Sequence, residues 1–261
     1  MLPCWWGVAL ASPQKINIKL LVLFALGATF MRSAGCTFND LIDRNIDIHV
    51  NRTKLRPLAN KEISPGYAFL FFILQCLGGL IILGCLPQRC WPLGLIGLVL
   101  LAIYPFMKRV THWPQLVLGF AFNLGIIFGV VAVLPYGAIQ WFPVLCLYGA
   151  GIFWTLGYDT IYALQDKTDD LKIGVKSTAI YFGDTIKIAL SLIYSLVFVS
   201  LALVGYWENA NDIFYSLLGI SFFTTLVMLY RMNPHNEENC QKAFNANSYL
   251  GLLIWIALLT L

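Results

Sequence analysis

Eight apolar runs, most of them close to 20 residues long and separated by short polar stretches, constrain this chain more than any other feature. They are Ile16–Met31, Tyr67–Leu86, Trp91–Met107, Leu116–Leu134, Phe142–Leu164, Ile188–Tyr206, Phe214–Tyr230 and Ala246–Leu261. About 20 apolar residues in a helix cross the hydrocarbon core of a bilayer. Inside lipid, backbone groups must pair within the segment or around a closed barrel. These runs are too long and too poorly alternating for barrel strands, so the fold class is all-α, a polytopic transmembrane helix bundle. Only 11% of residues are charged, against about a quarter in soluble domains. Met1–Ser12 is apolar but only about half a span. Its Ala9-Leu10-Ala11 imitates a signal cleavage site, yet no basic residue precedes the apolar run. The expectation is a truncated first helix and about nine helices in all, in a single domain covering residues 1–261. The seven cysteines are dispersed, and the one close pair, Cys85 and Cys90, has no neighbouring His, which argues against zinc or a disulfide framework.

If the segments alternate, one face collects Arg44, Arg52, Lys54, Arg56, Lys61, Lys108, Arg109, Lys167, Lys172, Lys176, Lys187, Arg231 and Lys242. The other face has only Lys15, Lys19 and Arg89, and Arg32 lies inside a span. That asymmetry places the rich face in the cytoplasm. Topology and headgroup attraction alone explain Lys61 or Lys242, but not the carboxylates interleaved among the basic residues at helical spacing.

Those carboxylates occur twice. Asn39-Asp40-Leu41-Ile42-Asp43-Arg44-Asn45-Ile46-Asp47 ends the second span, and Tyr158-Asp159-Thr160-Ile161-Tyr162-Ala163-Leu164-Gln165-Asp166 ends the sixth. Asp159 and Asp40 differ by 119 positions, as do Asp166 and Asp47, with Tyr162 opposite Asp43. The match implies two pseudo-repeated halves facing each other across the bundle. Asp40, Asp43 and Asp47 share one helix face with Asn39 close by, and Asp159, Tyr162 and Asp166 repeat the arrangement. Acids gathered at membrane depth repel one another and need compensating cations. Oxygen ligands of this kind suit Mg²⁺, which takes one or two carboxylates and completes its shell with water and phosphate oxygens. The bland alternative is two solvated helix ends in salt bridges with Arg44, Lys167 and Lys172. For Asp169 and Asp170 a metal role and a solvated loop stand as equal readings.

The loops after the two clusters also match in character, Arg52-Thr53-Lys54-Leu55-Arg56-Pro57 against Lys172-Ile173-Gly174-Val175-Lys176-Ser177. Basic groups beside Mg²⁺ sites are what a departing diphosphate requires. Tyr104 and Lys108 close the fourth span, with Arg109 and His112 following. Tyr104 is either an interfacial anchor or part of the site, and Lys108 either snorkels or meets phosphate. The Arg109 fork suits a carboxylate bidentately. Arg32, seven residues before Asn39, either pairs with a cluster acid or reaches substrate.

Several stretches together resemble the UbiA family of intramembrane prenyltransferases: Met31-Arg32-Ser33-Ala34-Gly35-Cys36, then Asn39-Asp40-x-x-Asp43-x-x-x-Asp47, and Tyr104-Pro105-Phe106-Met107-Lys108-Arg109. To these are added Pro114-Gln115, Leu118-Gly119, Tyr158-Asp159-Thr160 through Asp169-Asp170-Leu171-Lys172-Ile173-Gly174, and Lys176-Ser177-Thr178-Ala179-Ile180. The resemblance covers nearly the whole chain and points, through Tyr104–Arg109 and Lys172–Ile180, to the branch acting on 4-hydroxybenzoate. It implies nine membrane helices around a central cavity with a catalytic cap on the cytoplasmic side of a bacterial inner membrane. Asp40, Asp43, Asp47, Asp159 and Asp166, with Asn39, are then the Mg²⁺ ligands for a polyprenyl diphosphate. Arg56, Lys108 and Lys172 become its phosphate contacts, Tyr104 and Tyr162 substrate contacts, and Arg109 the grip on the 4-hydroxybenzoate carboxylate, in ubiquinone biosynthesis. Two features depart from the family pattern: the short first helix, and Lys167-Thr168 where relatives often carry Arg and Asp. Membrane lipid is an expected partner and nucleic acid is not. The runner-up readings are a prenyltransferase for a naphthoate, homogentisate or haem acceptor, and a divalent-cation transporter. Acids confined to helix ends argue against the continuous path a transporter needs.

Overall fold

The computed structural model describes residues 1–261. It contains eleven α-helices and no strand: α1 (Leu2–Ala11), α2 (Ile18–Asp47), α3 (Pro65–Gly84), α4 (Trp91–Val110), α5 (Pro114–Val133), α6 (Trp141–Ala163), α7 (Lys167–Ile173), α8 (Thr178–Phe182), α9 (Ile186–Trp207), α10 (Asp212–Arg231) and α11 (Glu237–Leu258). The nine helices expected from hydropathy correspond to α1 and the eight helices of 20 residues or more. The short α7 and α8 lie in the polar stretch between the sixth and seventh runs. Seven of the long helical stretches are apolar enough to cross a membrane, and the protein is an integral membrane protein.

Local chemistry sets the ends. Asn17, Ser64, Asn211 and Asn236 each accept a backbone amide at the start of α2, α3, α10 and α11, satisfying one of the four amides a helix leaves unpaired. Pro65 and Pro114 open α3 and α5, where the missing N–H costs nothing. Gly174 ends α7 at φ +74°, a left-handed turn that a side chain would strain. Two helices outrun their apolar signal. α2 continues through the whole first acidic segment to 30 residues, about 45 Å, longer than the roughly 30 Å hydrocarbon core. α11 begins at Glu237 rather than near Ala246, because its polar first turns are capped by Asn236 and present Ala243 and Asn247 to the bundle.

Lipid supplies little hydrophobic force between helices, so close packing and polar contacts decide their arrangement. α1 is short but central: it packs on α5, α11, α2 and α6. Trp6 is fully buried and donates from Nε1 to the Gly251 carbonyl of α11 at 2.9 Å. A pair of glycines lets α1 meet α5 backbone to backbone. A Cβ on Gly129 would strike the Cys4 carbonyl oxygen and lie 2.8 Å from the Val8 nitrogen, and one on Gly7 would strike the Ile126 oxygen. On the other side of α6, Asn247 accepts from Trp154 Nε1 at 3.2 Å and from Tyr194 Oη at 2.7 Å, joining α11, α6 and α9. Asn123 of α5 donates to Thr155 Oγ1 of α6 at 2.8 Å. At the face poor in basic residues, Arg89 reaches the carbonyls of Val131 and Ala132 and so covers the C-terminal end of α5.

The α1–α5 contact leaves no room for a methyl group. Gly129→Ala is expected to destabilise the protein by about 1–3 kcal/mol through overpacking, read as a lower midpoint of thermal unfolding in detergent; an unchanged midpoint would refute the close packing.

Candidate active site

The first acidic segment occupies the last two turns of α2. Asp43 is fully buried and Asp47 is 6% exposed, a placement that a carboxylate tolerates only when cations face it. Each acid has one. Lys108 Nζ, from the end of α4, bonds Asp43, and Arg109 Nη2 lies 3.5 Å from the other Asp43 oxygen while donating to the Ile42 carbonyl at 2.9 Å. Arg56 Nη1 straddles Asp40 at 2.8 Å and Asp47 at 3.1 Å. Arg56 can do so because the chain after α2 folds back on the helix end, with Val50, Thr53 and Ala59 buried and Thr53 Oγ1 donating to the Asp47 carbonyl at 3.2 Å.

The second acidic segment, at the end of α6, meets the same loop. Arg52 donates from Nε to Asp166 Oδ1 at 2.8 Å, pairs its Nη2 with Asp166 Oδ2, and donates from Nη1 to Tyr162 Oη at 2.5 Å. The Asn51 amide donates to Asp169 Oδ2 at 3.0 Å. Beside them the loop before α8 is docked on the end of α4: the Lys176 amide donates to the Lys108 carbonyl at 3.0 Å and its Nζ to the Val110 carbonyl at 3.2 Å. The two acidic segments therefore meet through arginine and backbone contacts at one end of the bundle.

The charge pattern in the loops is uneven. Asp169 is held below the usual carboxylate range by the Asn51 amide and then by the Lys172 ammonium. Asp170 has no cation within ion-pair distance; burial, reinforced by the negative charge of Asp166, pushes its carboxyl up to about 7. Two turns deeper in the bundle, Tyr104, Asp159, Arg32 and Tyr158 lie within electrostatic range of one another. Arg32 forms no ion pair within 4 Å, and its guanidinium stands 5.1 Å from the centroid of the Phe122 ring. Tyr104 is half-buried and close enough to Asp159 and Arg32 to feel their charges.

Of the residues singled out from sequence, the structure brings together Asp40, Asp43, Asp47, Arg56, Lys108 and Arg109 at the end of α2, and Asp166 and Tyr162 opposite them. Asn39 is half-buried with no side-chain hydrogen bond, and Lys172 is exposed and bonded to Asp169 at 3.2 Å. No three carboxylates stand ready-made as a metal cluster, because each acid of the first segment is drawn to a basic side chain instead. The donor set nevertheless fits a hard divalent cation: it consists of carboxylate and amide oxygens, and Asp43 Oδ1 is buried without a hydrogen-bond partner. Arg52 and Gln165 are additions that the spacing argument left unassigned. Gln165 Nε2 is buried without a partner. Arg52 was visible only as one basic residue of a loop, and its position five residues past Asp47 was its one sequence signal.

Comparison with known proteins identifies the family of the chain. The pattern of the UbiA prenyltransferase family matches residues 1–256. Over 258 residues the chain is 42% identical to the mitochondrial 4-hydroxybenzoate polyprenyltransferase of Drosophila melanogaster, covering 98% of this chain and 65% of that protein. It is 39% identical over 259 residues to the 4-hydroxybenzoate octaprenyltransferase of Photobacterium profundum, covering 98% and 88%. The chain thus spans somewhat less than two thirds of the length of the insect relatives it matches. In fold it is similar to a UbiA homolog from Aeropyrum pernix (TM-score 0.83, 22% identity, 98% and 94% coverage) and to one from Archaeoglobus fulgidus bound to DMAPP and Mg²⁺ (TM-score 0.75, 18% identity, 98% and 92% coverage). On the match across 1–256 and on these relatives, the chain belongs to the UbiA prenyltransferase family.

Proposed function

We propose that this protein transfers a polyprenyl group from a polyprenyl diphosphate to the carbon ortho to the hydroxyl of 4-hydroxybenzoate, releasing diphosphate, as a step of ubiquinone biosynthesis. The observation that carries the reading is the meeting of two acidic helix ends around Arg52, Arg56 and Lys108, since carboxylates for a divalent cation and cations for a diphosphate then share one site. Identity of about 40% over nearly the whole chain to relatives named for this reaction supports the choice of acceptor. The asymmetry of basic residues supports an orientation with the acidic ends on the cytoplasmic side of a bacterial inner membrane.

In this reading Asp40, Asp43, Asp47 and Asn39 from α2, with Asp159 from α6 and Asp166 from the turn between α6 and α7, would hold Mg²⁺, and the unpaired Asp170 would join them as a further oxygen donor. The bound cation would supply charge neutralisation for the departing diphosphate. Arg56, Lys108 and Lys172 take up phosphate charge as the allylic C–O bond opens, and Tyr162 donates to phosphate or orients Asp166. Tyr104 presents its ring beside the allylic carbon. The acceptor carboxylate has two candidate grips. Arg109 carries the right fork but lies against Asp43, whereas Arg32 has no ion pair, stands over the Phe122 ring and lies within electrostatic range of Asp159 and Tyr104. The geometry favours Arg32 for the carboxylate, with Arg109 holding the charge balance at Asp43. Attack by the ring carbon on the allylic cation forms the new C–C bond, and transfer of the ring proton to the released diphosphate or to a carboxylate of the site restores aromaticity. An apolar prenyl tail lies in lipid or between helices, which is why such chemistry suits a membrane.

Purified protein given Mg²⁺, 4-hydroxybenzoate and prenyl diphosphates of graded length is expected to yield prenylated 4-hydroxybenzoate by mass. Prenylation of a naphthoate or homogentisate in its place would reject the acceptor. Asp40→Ala and Asp159→Ala are each expected to lower kcat by about a hundredfold or more; full activity in either removes that residue from the site. Arg32→Ala is expected to raise KM for 4-hydroxybenzoate by roughly ten- to a hundredfold, the worth of a charged hydrogen bond, with a smaller effect from Arg109→Ala. The reverse order would return the carboxylate to Arg109.

A further inference from the structure

Arg52 is the side chain that joins the two acidic segments. Its loop is rooted at the end of α2, where Val50 is buried and Thr53 Oγ1 donates to the Asp47 carbonyl. Its guanidinium leaves that root and engages the end of α6 three times: a fork on Asp166, a hydrogen bond to Tyr162 Oη, and a face 4.6 Å from the centroid of the Tyr162 ring. The preceding residue adds the Asn51 amide to Asp169. No other side chain of this loop reaches α6 or α7 by hydrogen bond or ion pair: Arg56 turns back to α2, and Lys54 bonds Asn51. Burial works against the charge of Arg52, but the hydrogen bonds and charge of Asp166 outweigh it and keep the group protonated beyond the ordinary arginine range. A planar fork that also stacks on an aromatic ring is geometry a lysine does not reproduce.

We propose that Arg52 is a positioning residue: it sets the second acidic segment in register with the first by clamping Asp166 and Tyr162 to the loop that α2 carries. Without the clamp, the ends of α2 and α6 retain their own helices but lose the one charged tie between them, and the loop 48–64 opens. The structural half of this inference stands on contacts alone. Its kinetic half rests on the function proposed above.

Trypsin provides the test, because Lys54 and Lys61 are exposed in this loop while Arg231 and Lys242 lie elsewhere on the same face. In purified protein in detergent, R52Q is expected to speed cleavage after Lys54 and Lys61 by roughly tenfold, as loss of a charged fork shifts a local opening equilibrium, with cleavage after Arg231 and Lys242 unchanged. Wild-type rates at Lys54 and Lys61 in R52Q would overturn the proposal. Should R52Q raise cleavage at every site, R52K decides on the same two outcomes, since it keeps the charge and loses the fork. In the transfer assay R52Q is expected to lower kcat while KM for 4-hydroxybenzoate stays at the wild-type value. A raised KM with unchanged kcat would place Arg52 on the acceptor and overturn the positioning role. A wild-type protein that does not prenylate 4-hydroxybenzoate refutes the proposed function and leaves the proteolysis result standing.

Discussion

Three carboxylates on one face of one helix, the middle one fully out of solvent, are mutually repulsive, and burial raises the cost of each charge. The compensation comes from outside α2: Lys108 and Arg109 from the end of α4, and Arg56 from the loop that follows α2. A second set of acids at the end of α6 draws Arg52 from the same loop. Charge balance is therefore what gathers the ends of α2, α4 and α6 at one end of the bundle. The membrane-spanning parts obey a different rule, since lipid is as apolar as a leucine side chain. There, glycines at the α1–α5 contact and a few buried amides, Asn123 and Asn247, hold the helices.

The two rules meet at a boundary set by length. α2 is long enough to cross and still carry two turns of acids beyond the apolar run. The same helix thus presents Arg32 at depth and Asp40 to Asp47 at its end, one face serving an apolar interior and a charged rim. α4 does likewise, with Tyr104 one turn before Lys108 and Arg109 at the rim. Under the proposed function, the anionic head and long apolar tail of one substrate and the aromatic acid that accepts it would follow that gradient along the helix axis.

Much of this was legible beforehand. The apolar runs located the eight long helices, because crossing lipid imposes a minimum length and internal backbone pairing. The spacing of Asp40, Asp43 and Asp47 identified the acidic face of α2, whereas α6 stops at Ala163 and Asp166 lies past it, at the start of α7, and not on one helix face with Asp159 as expected. The extent of α11 was hidden, since its first turns are polar and only packing of Ala243 and Asn247 against the bundle makes them helical. The role of α1 was hidden as well: a half-length apolar stretch reads as a fragment, and its fit against α5 depends on Gly7 and Gly129, which are 122 positions apart.

Sequence by itself determined the solvent, the helical class and which residues share a face, because these follow from local periodicity and from the cost of unpaired backbone in lipid. Tertiary structure alone decided the pairings: Arg52 with Asp166 and Tyr162, Arg56 with Asp40 and Asp47, Lys108 with Asp43, and Arg32 with none. An ion pair depends on where two distant segments meet in space, and a list of charged residues carries no such distances.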